Sequence, residues 1–566
     1  MHGWFPDFAK VSDLNELEKR LGQNLLEPDL LVVGAGINGS AIALDAASRG
    51  LKVCLVDKGD FGSGSSAGCF RIAHGGLRYL QHFDLPRLFE SVLEQRLLRK
   101  NAHAYLKPLR FMVPCYGSGK KGKNYLGIGL YLYELLTFWR NMGVRSDQRL
   151  SGPGFLSAEE VIEEYPGIRK EGLSGAALFS DSQIINCDRM TFAVVKSAEK
   201  LGAGVFNYVQ ASNLVAEGTR LQSVQLEDVL TGQQVTIRPR YLVNAAGPWS
   251  RELGQSQAGK DKERVFSKGL QITFRGGASE GKYFSDKYAV ALESSYVDPA
   301  AKAGRGGRSY FIVPWRKNIL AGTADIEFKG MADDFDFSNK EVEKFISELE
   351  DVSGASNLRS KVVNSFGGLR AIDEEILQKN GEAVVARNHF ISKAELPSGK
   401  SFDNVWNVEG VKYTTFRALA EKVVNEVVGE KVKSPTRALS LYGSKKCNLD
   451  KICSQLESYF SPDVSARIVS EYGSASEGII EFAKLDDALV GSCPQLTVAE
   501  LHYSFQEERC RTFADLILRR QTIFSEYGSQ DSTLEEIAAL VCKRQGLDKD
   551  EEIRNLKAEI SRTNPL

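Results

Sequence analysis

The run HGGLRYL at 74–80 places several chemically capable side chains close together. Histidine readily accepts a proton near neutral pH, so His74 is a candidate general base. Two glycines follow it and would let a bound ligand approach the backbone closely. Arg78 and Tyr79 come next and could contact oxygen atoms of a substrate. The run therefore suits proton transfer beside a bound ligand.

A second group of residues has the spacing of a dinucleotide site. Gly34, Gly36 and Gly39 form the pattern GxGxxG directly after the apolar run Leu30 to Val33. They suit a tight turn, close approach of the backbone to a pyrophosphate, and close packing of a helix on a strand. The pyrophosphate would lie at the positive N-terminus of that helix. Asp57 ends the next apolar run, where a carboxylate can accept hydrogen bonds from ribose hydroxyls.

The glycine pattern does not distinguish NAD from FAD, but two later segments favour FAD. Residues 244–249 form a strand-end turn of small residues, as in flavoproteins whose FAD domain is split. Residues 62–68 are small and carry hydroxyls that could line an extended cofactor. The residues concerned are Ala246, Gly247, Ser65 and Ser66. We therefore predict FAD as the cofactor.

Length and composition are those of a globular protein with more than one structural unit. At 566 residues the chain exceeds the size of a single hydrophobic core. Its 72 basic and 73 acidic residues give a net charge of −1, which provides no general attraction for nucleic acid. The nine cysteines include no CxxC pair, which favours reduced thiols over disulfides or a metal site. The N-terminal residues lack the apolar stretch of a secretory signal, so we expect a cytoplasmic protein.

The order of the elements predicts an α/β fold in which a Rossmann-like FAD-binding domain is split by an inserted α+β domain. After an N-terminal extension at 1–27, we expect the FAD-binding domain at 28–110, 186–250 and 401–435. The substrate-binding domain is expected at 111–185 and 251–400, where strand-like runs occur. From 436 to 566 the pattern is helical and charged, which predicts a C-terminal α-helical domain.

Two segments carry specific helix predictions. From Thr415 to Gly429, apolar residues recur at helical spacing; Thr414 or Thr415 could cap this helix, and Gly429 could end it. The segment from Tyr125 to Trp139 is apolar but, at about 15 residues, too short to span a bilayer. We expect a buried helix here. The alternative is an interfacial helix that contacts a membrane peripherally through an apolar face.

Many segments in order along the chain resemble FAD-dependent glycerol 3-phosphate dehydrogenases. The run HGGLRYL, preceded by two serines, is distinctive of that family. The further matching segments are Asn244 to Trp249, Lys268-Gly269, Pro314-Trp315, Gly322 to Asp325, Gly367 to Arg370, Arg387, Lys412 to Arg417 and Glu500 to Thr522. Because these matches extend over most of the chain, they are more specific than any single motif.

The resemblance implies oxidation of sn-glycerol 3-phosphate to dihydroxyacetone phosphate at FAD, with electrons passed to a quinone at a membrane surface or to oxygen. Arg370 and Arg387 resemble the family's phosphate-binding arginines, whose guanidinium groups suit a phosphate dianion. Lys412 precedes the helix whose positive end would stabilise charge on the reduced flavin. The predicted catalytic residues are His74, Arg78, Tyr79, Arg370, Arg387 and Lys412. The predicted FAD-binding residues are Gly34, Gly36, Asn38, Gly39, Asp57, Ser65, Ser66, Gly75, Gly76, Ala246, Gly247 and Thr414.

Several positions depart from the family pattern and keep the substrate and the acceptor open. Cys69 and Phe70 stand where the family has serines, Arg71 where it has lysine, and Ala324 where it has threonine. One alternative is a glycerol 3-phosphate oxidase that uses oxygen. Another is a related amine or amino-acid oxidase, whose substrate carboxylate could also pair with Arg370. A flavin-binding subunit without activity is a further alternative.

Overall fold

The computed structural model describes residues 26–117, 122–253, 264–276, 283–297, 307–373, 385–386, 388–521, 523–528 and 530–565. The predicted N-terminal extension lies outside these residues except for positions 26 and 27, and so does Arg387. All nine cysteines lie within the described ranges and are free. In these ranges we find no helix with the length and apolar character needed to cross a membrane.

The helices are numbered along the chain. They are α1 (Ile37–Ser48), α2 (Leu77–Gln81), α3 (Leu85–Asn101), α4 (Lys123–Leu136), α5 (Ala158–Glu164), α6 (Cys187–Lys200), α7 (Asn339–Ser353), α8 (Phe416–Val428), α9 (Leu449–Leu456), α10 (Pro462–Tyr472), α11 (Ser476–Ala483), α12 (Val498–Gln506), α13 (Ile523–Tyr527), α14 (Asp531–Gln545) and α15 (Lys549–Thr563). A π-helical turn at Asp515–Arg520 precedes α13.

A mostly parallel sheet carries the glycine motif. Its strands, in spatial order, are β17 (Phe390–Glu395), β18 (Ser401–Glu409), β11 (Tyr241–Asn244), β1 (Leu30–Val33), β2 (Val53–Val56) and β7 (Gly204–Phe206). β1 is parallel to both β2 and β11, whereas β17 is antiparallel to β18. Every residue of β1 and β2 is buried, which is the pattern of parallel strands covered on both faces. α1, α6 and α8 share one hydrophobic core against this sheet.

A second large sheet is mixed and mainly antiparallel. Its strands, in spatial order, are β16 (Val362–Arg370), β12 (Arg264–Arg275), β15 (Asn318–Gly330), β14 (Gly307–Trp315), β13 (Tyr288–Val297), β4 (Leu106–Tyr116), β6 (Leu173–Ile184) and β3 (Ile72–Ala73), with β5 (Gly154–Leu156) paired to β6. A smaller antiparallel sheet consists of β10 (Gln233–Ile237), β9 (Arg220–Asp228) and β8 (Val209–Glu217). The α/β class is therefore as predicted.

Two strands pair with the sheet that the predicted division into domains does not assign to them. β17 falls in the range expected for the substrate-binding domain, yet it pairs with β18 of the parallel sheet. Conversely, β3 falls in the range expected for the FAD-binding domain, yet it pairs with β6 of the mixed sheet. The division into domains at the level of residues stays a prediction.

The C-terminal region is mainly helical, with a short hairpin of β19 (Leu489–Val490) and β20 (Cys493–Thr497). α12, α14 and α15 contribute to a hydrophobic core that includes Leu501, Ile537 and Leu556. α9, α10 and α11 instead bury their apolar faces in the core that α1 and α8 also occupy. The region is thus attached to the parallel sheet through shared hydrophobic packing.

α8 begins and ends at the predicted residues, but its start lacks the predicted side-chain cap. Gly429 ends the helix with φ 73°, a left-handed conformation that glycine adopts without strain. The predicted side-chain cap is wrong, because Thr415 makes no such bond to the helix backbone. The Thr415 hydroxyl lies 3.2 Å from His389 Nε2, and the Thr414 hydroxyl accepts a hydrogen bond from the His74 N–H. Both hydroxyls therefore join other segments to this end of the helix.

The prediction of a buried helix at Tyr125 to Trp139 is wrong for one side of the helix. α4 buries Leu130 and Tyr133 against α3 and the mixed sheet. Its opposite side is apolar but faces solvent, and Ile128 and Leu135 are each 71% exposed. We call this surface the α4 face; its members are Ile128, Tyr131, Leu132, Leu135 and Phe138. Both sides of the helix are therefore largely apolar, and only one of them is covered by the rest of the protein.

Candidate active site

The turn between β1 and α1 has the geometry that the glycine pattern requires. Gly34 has φ 96°, and a Cβ there would lie 2.7 Å from the Ala245 carbonyl oxygen. A Cβ at Gly39 would collide with the Gly34 carbonyl oxygen, so α1 approaches β1 as closely as only glycine permits. The Ile37 N–H, in the first turn of α1, donates to the Ser66 hydroxyl at 2.9 Å. The turn thus presents a helix N-terminus suited to an anionic group.

Asp57 follows β2 and is held beside this turn. Its carboxylate accepts hydrogen bonds from the Ala35 N–H at 2.6 Å and from the Gly59 N–H at 2.9 Å. Burial raises the pKa of Asp57 to about 6, against the opposing effect of these two bonds. Since a carboxylate has about four acceptor positions, others are left for the hydroxyls of a ribose.

A cavity of about 1750 Å³ extends from Asp57 to His74 and is lined by both large sheets and by the loop before α8. This volume exceeds the roughly 300–1,000 Å³ of ordinary small-molecule sites, so a dinucleotide and a small substrate fit together. Most predicted FAD-binding residues line it, namely Gly34, Gly36, Asn38, Asp57, Ser65, Ser66, Gly76, Ala246, Gly247 and Thr414. Gly39 and Gly75 do not line it but lie directly behind its wall, against the Gly34 carbonyl and the Tyr133 hydroxyl.

The residues of this cavity fit FAD. Asn38 Oδ1 is buried without a hydrogen-bond partner in the described part of the chain, although it belongs to the cavity wall. The Ser65 hydroxyl donates to the Leu369 carbonyl at 2.6 Å, which joins the 62–68 turn to the mixed sheet. Together with the glycine turn and Asp57, these residues place polar groups along the channel between the sheets. Such a channel suits the extended pyrophosphate and ribityl chain of a flavin dinucleotide.

His74 lies at the other end of the cavity, and its position is controlled by a buried carboxylate. Asp181 Oδ2 is 3.6 Å from His74 Nδ1. The other oxygen, Oδ1, accepts hydrogen bonds from the Gly75 N–H and from Gln95 Nε2, both at 2.7 Å. The His74 side chain is 51% exposed to the cavity, whereas that of Asp181 is 6% exposed. The carboxylate therefore orients the imidazole and leaves its Nε2 edge available to a ligand.

Arg370 lines the same cavity at the end of β16. It forms an ion pair with Asp325 on β15, and its Nη2 lies 3.4 Å from the Ser267 hydroxyl. The guanidinium group packs against Gly269, where a Cβ would come within 2.8 Å of its Nε. Asp325 thus places the cation in the cavity and offsets part of its charge.

A second cationic position involves Lys412, which precedes α8. Its ammonium group lies 4.4 Å from the centre of the Tyr79 ring. Burial lowers the pKa of Lys412 to about 8, and the nearby positive charge of Arg87 adds to this effect. Arg78 also lines the cavity in this region. Tyr79 and Lys412 are therefore in contact and Arg78 lines the same cavity, while Arg387 lies outside the described residues.

Four polar residues that support this site were not predicted from the sequence. Asp181 lies beside His74 and is itself held by Gln95, and Asp325 holds Arg370. His389 is joined to the loop before α8 through the Val411 N–H and the Thr415 hydroxyl, and burial lowers its pKa to about 4. An acidic residue such as Asp181 within the otherwise uncharged strand β6 was the available signal, because a buried charge in a strand usually has a partner.

The chain is similar to known proteins over most of its length. Residues 29–421 match the family model described as FAD dependent oxidoreductase, and residues 434–552 match that of the C-terminal domain of alpha-glycerophosphate oxidase. The chain is 29% identical to a glycerol-3-phosphate dehydrogenase of a Synechocystis species, with 88% of each protein covered. It is 28% identical to the human mitochondrial glycerol-3-phosphate dehydrogenase, over 93% of this chain and 72% of the human one.

The fold is also similar to that of a solved structure. The glycerol-3-phosphate dehydrogenase from Bacillus halodurans, complexed with FAD, superposes with a TM-score of 0.72 at 21% identity, covering 98% of each chain. The similarity includes the C-terminal helical region as well as the two large sheets.

Proposed function

This chain belongs to the FAD dependent oxidoreductase family, and from that premise we propose that it oxidises sn-glycerol 3-phosphate to dihydroxyacetone phosphate. The relatives that bear the name glycerol-3-phosphate dehydrogenase support this substrate. The observation that carries the proposal is the arrangement of His74, Arg370 and Lys412 around one cavity that also contains the dinucleotide turn. A proton acceptor and two cations are what an alcohol that bears a phosphate requires.

The chain offers separate groups for the pyrophosphate and for the adenosine ribose of FAD. The N-terminus of α1 and Ser66 would hold the pyrophosphate, and Asp57 the ribose of the adenosine. When bound, FAD accepts a hydride from the carbon that carries the substrate hydroxyl. The Thr414 hydroxyl accepts a hydrogen bond from the His74 N–H. This bond holds the backbone at His74 against the loop before α8.

His74 accepts the hydroxyl proton of the substrate in this proposal. Its Nδ1 faces Asp181, so Nε2 is the atom that receives the proton. The Asp181 carboxylate then stabilises the resulting imidazolium, and Gln95 and the Gly75 N–H keep that carboxylate in place. Arg370, Arg78 and Lys412 supply positive charge for the phosphate group, and Arg387 stays a predicted member of this set.

The decisive experiment is a visible absorption spectrum of the purified protein before and after addition of sn-glycerol 3-phosphate under nitrogen. We expect a yellow protein whose flavin absorbance is bleached by about one equivalent of substrate. Glycerol without phosphate should bleach it far more slowly, because the cations then have no partner. Bleaching by an amino acid instead of glycerol 3-phosphate would favour the amine-oxidase alternative, and a protein that binds no flavin would contradict the proposal.

We further propose that the electrons pass to a quinone at a membrane surface, with which the protein associates peripherally. The support is the position of the α4 face. α4 packs through Tyr133 and Leu136 on the same small core as Leu77 and Tyr79 of α2, and α2 lines the cavity. Phe83, which follows α2, is also apolar and is 69% exposed. The α4 face would thus bring the side of the protein that carries α2 to a bilayer that contains the acceptor.

A further inference from the structure

The C-terminal helix α15 forms part of the cavity wall, although it lies outside both large sheets. Ala558, Glu559, Ile560, Arg562 and Thr563 line the cavity together with Asp57 and the 62–68 turn. The nucleotide motifs at the start of the chain and the last helix of the described residues therefore border the same space. The dinucleotide pattern itself does not explain why α15 lines the cavity.

Four separate segments meet at Asp333, beside the end of β2. Asp333 Oδ1 accepts a hydrogen bond from Trp249 Nε1 at 2.6 Å and lies 3.3 Å from Lys58 Nζ. The Asp333 carbonyl accepts from Arg562 Nη2 at 2.6 Å, and the Phe335 carbonyl from the same atom at 3.3 Å. Lys58 directly follows Asp57, the residue that suits the ribose. We call this cluster of Lys58, Trp249, Asp333 and Arg562 the Asp333 junction.

The end of α15 is also attached to the mixed sheet. The Phe337 N–H donates to the Arg562 carbonyl at 2.9 Å. The Ser365 hydroxyl donates to the Thr563 carbonyl at 2.6 Å, and the Ser365 N–H donates to Asn564 Oδ1 at 3.0 Å. These bonds fix the last turn of α15 over the strand that carries Arg370.

A buried ionic cluster attaches the same region to the turn that follows β2. Arg520 donates two hydrogen bonds to the Asp60 carboxylate, at 2.8 and 2.9 Å, and Arg519 Nε donates a third at 2.9 Å. Arg519 Nη1 donates to Glu559 of α15 at 2.6 Å. Asp60 lies three positions after Asp57, so the C-terminal region holds the turn on which the ribose-binding carboxylate sits.

From these contacts we propose that α15 closes the adenosine end of the cleft and that the C-terminal region controls the retention of FAD. The inference rests on the proposed function in one respect, namely that FAD lies with its ribose at Asp57. The cofactor then leaves only after the Asp333 junction opens and α15 moves away from the cleft. Because such local openings are governed by the contacts that they break, weaker contacts at the junction increase the rate of FAD release.

The test compares FAD release from the full-length Arg562→Ala and wild-type holoenzymes by the rise in flavin fluorescence after dilution. We expect release to be roughly tenfold faster in the variant, because two hydrogen bonds across the junction are lost. Arg554→Ala is the matched control: Arg554 is exposed on the same helix and does not line the cavity. Equal release rates for Arg562→Ala and Arg554→Ala would overturn the inference.

Hydrogen exchange measured by mass spectrometry provides a second readout that does not depend on a variant. We expect FAD to slow exchange in residues 549–563 of the wild-type protein, relative to protein freed of FAD. α9 is the internal reference, because it packs on the shared core and does not line the cavity. Identical exchange of α15 with and without FAD would contradict the inference. If the protein binds flavin and is bleached by glycerol 3-phosphate under nitrogen, such a result leaves the proposed function intact.

Discussion

The chemistry depends on a small number of side chains whose positions are set by charged partners. His74 is oriented by Asp181, which is in turn held by Gln95 and a backbone N–H. Arg370 is placed by Asp325 in the same manner. Each functional group therefore has a partner that fixes its geometry before substrate arrives. Such preorganisation reduces the reorganisation needed at the moment of reaction.

Replacement of His74 should separate proton transfer from cofactor binding. We expect His74→Ala to lower kcat by about two to four powers of ten, because the substrate hydroxyl loses its proton acceptor. Flavin content, measured by absorbance, should remain that of the wild type. His103→Ala is the control, since His103 lies outside the cavity. Unchanged turnover in His74→Ala would remove the assignment of the base.

Lys412 should give substrate binding a pH dependence. Its lowered pKa of about 8 means that the ammonium is charged below that pH and neutral above it. We therefore expect the KM for glycerol 3-phosphate to rise by roughly three- to tenfold as the pH increases from about 7 to about 9, since one charged hydrogen bond is lost.

The variant Lys412→Arg tests the origin of that rise, because a guanidinium group stays charged throughout this range. In the variant, the KM measured by steady-state kinetics should no longer increase above about pH 8. An equal increase in both proteins would show that another group is responsible.

At the level of elements, the α4 face is the feature that no internal packing explains. Ile128, Leu135 and Phe138 are each more than two-thirds exposed, and all are apolar. The helix keeps its place because Leu130 and Tyr133 are buried on its other side. Burial of such a face in a lipid interface is favourable by about 1.5–3 kcal/mol for each large side chain.

The α4 face predicts membrane binding that a double substitution should weaken. We expect Ile128→Asp with Leu135→Asp to lower sedimentation with vesicles of phosphatidylcholine and an anionic lipid by at least about tenfold in affinity. Turnover with a water-soluble electron acceptor should not change. Leu485→Asp is the control, because Leu485 is a similarly exposed leucine, at 62%, of the C-terminal region. Vesicle binding equal to that of the wild type would exclude this face as the contact.

At the level of the whole molecule, the C-terminal region is joined to the nucleotide site by buried charges. Asp60 is fully buried, and although burial alone would raise its pKa, Arg520 and Arg519 lower it. The removal of Asp60 would leave the buried Arg520 guanidinium without its carboxylate partner, which is costly. The cluster therefore holds the C-terminal region in one position relative to the parallel sheet. As a consequence, α15 forms part of the cavity wall.

The local motifs were predictable because they depend on interactions between residues that are close in sequence. A turn that needs glycine, a buried parallel strand and an acid at the end of the next strand all lie within about 30 residues, as the βαβ unit requires. The left-handed glycine that ends α8 is a signal of the same kind. The α/β fold and FAD as cofactor followed from these patterns together with the family resemblance.

The sequence by itself thus determined the nucleotide turn and the limits of α8 and indicated His74 as the candidate base, since each depends on neighbours along the chain. Only the tertiary structure decided that Asp181 orients His74, that the α4 face is exposed, and that α15 borders the cleft. Asp181 is 107 positions from His74, and Arg562 is 229 positions from Asp333. Contacts between residues so far apart in sequence depend on how whole helices and strands pack together. Such packing produces no periodic pattern or motif in the local sequence.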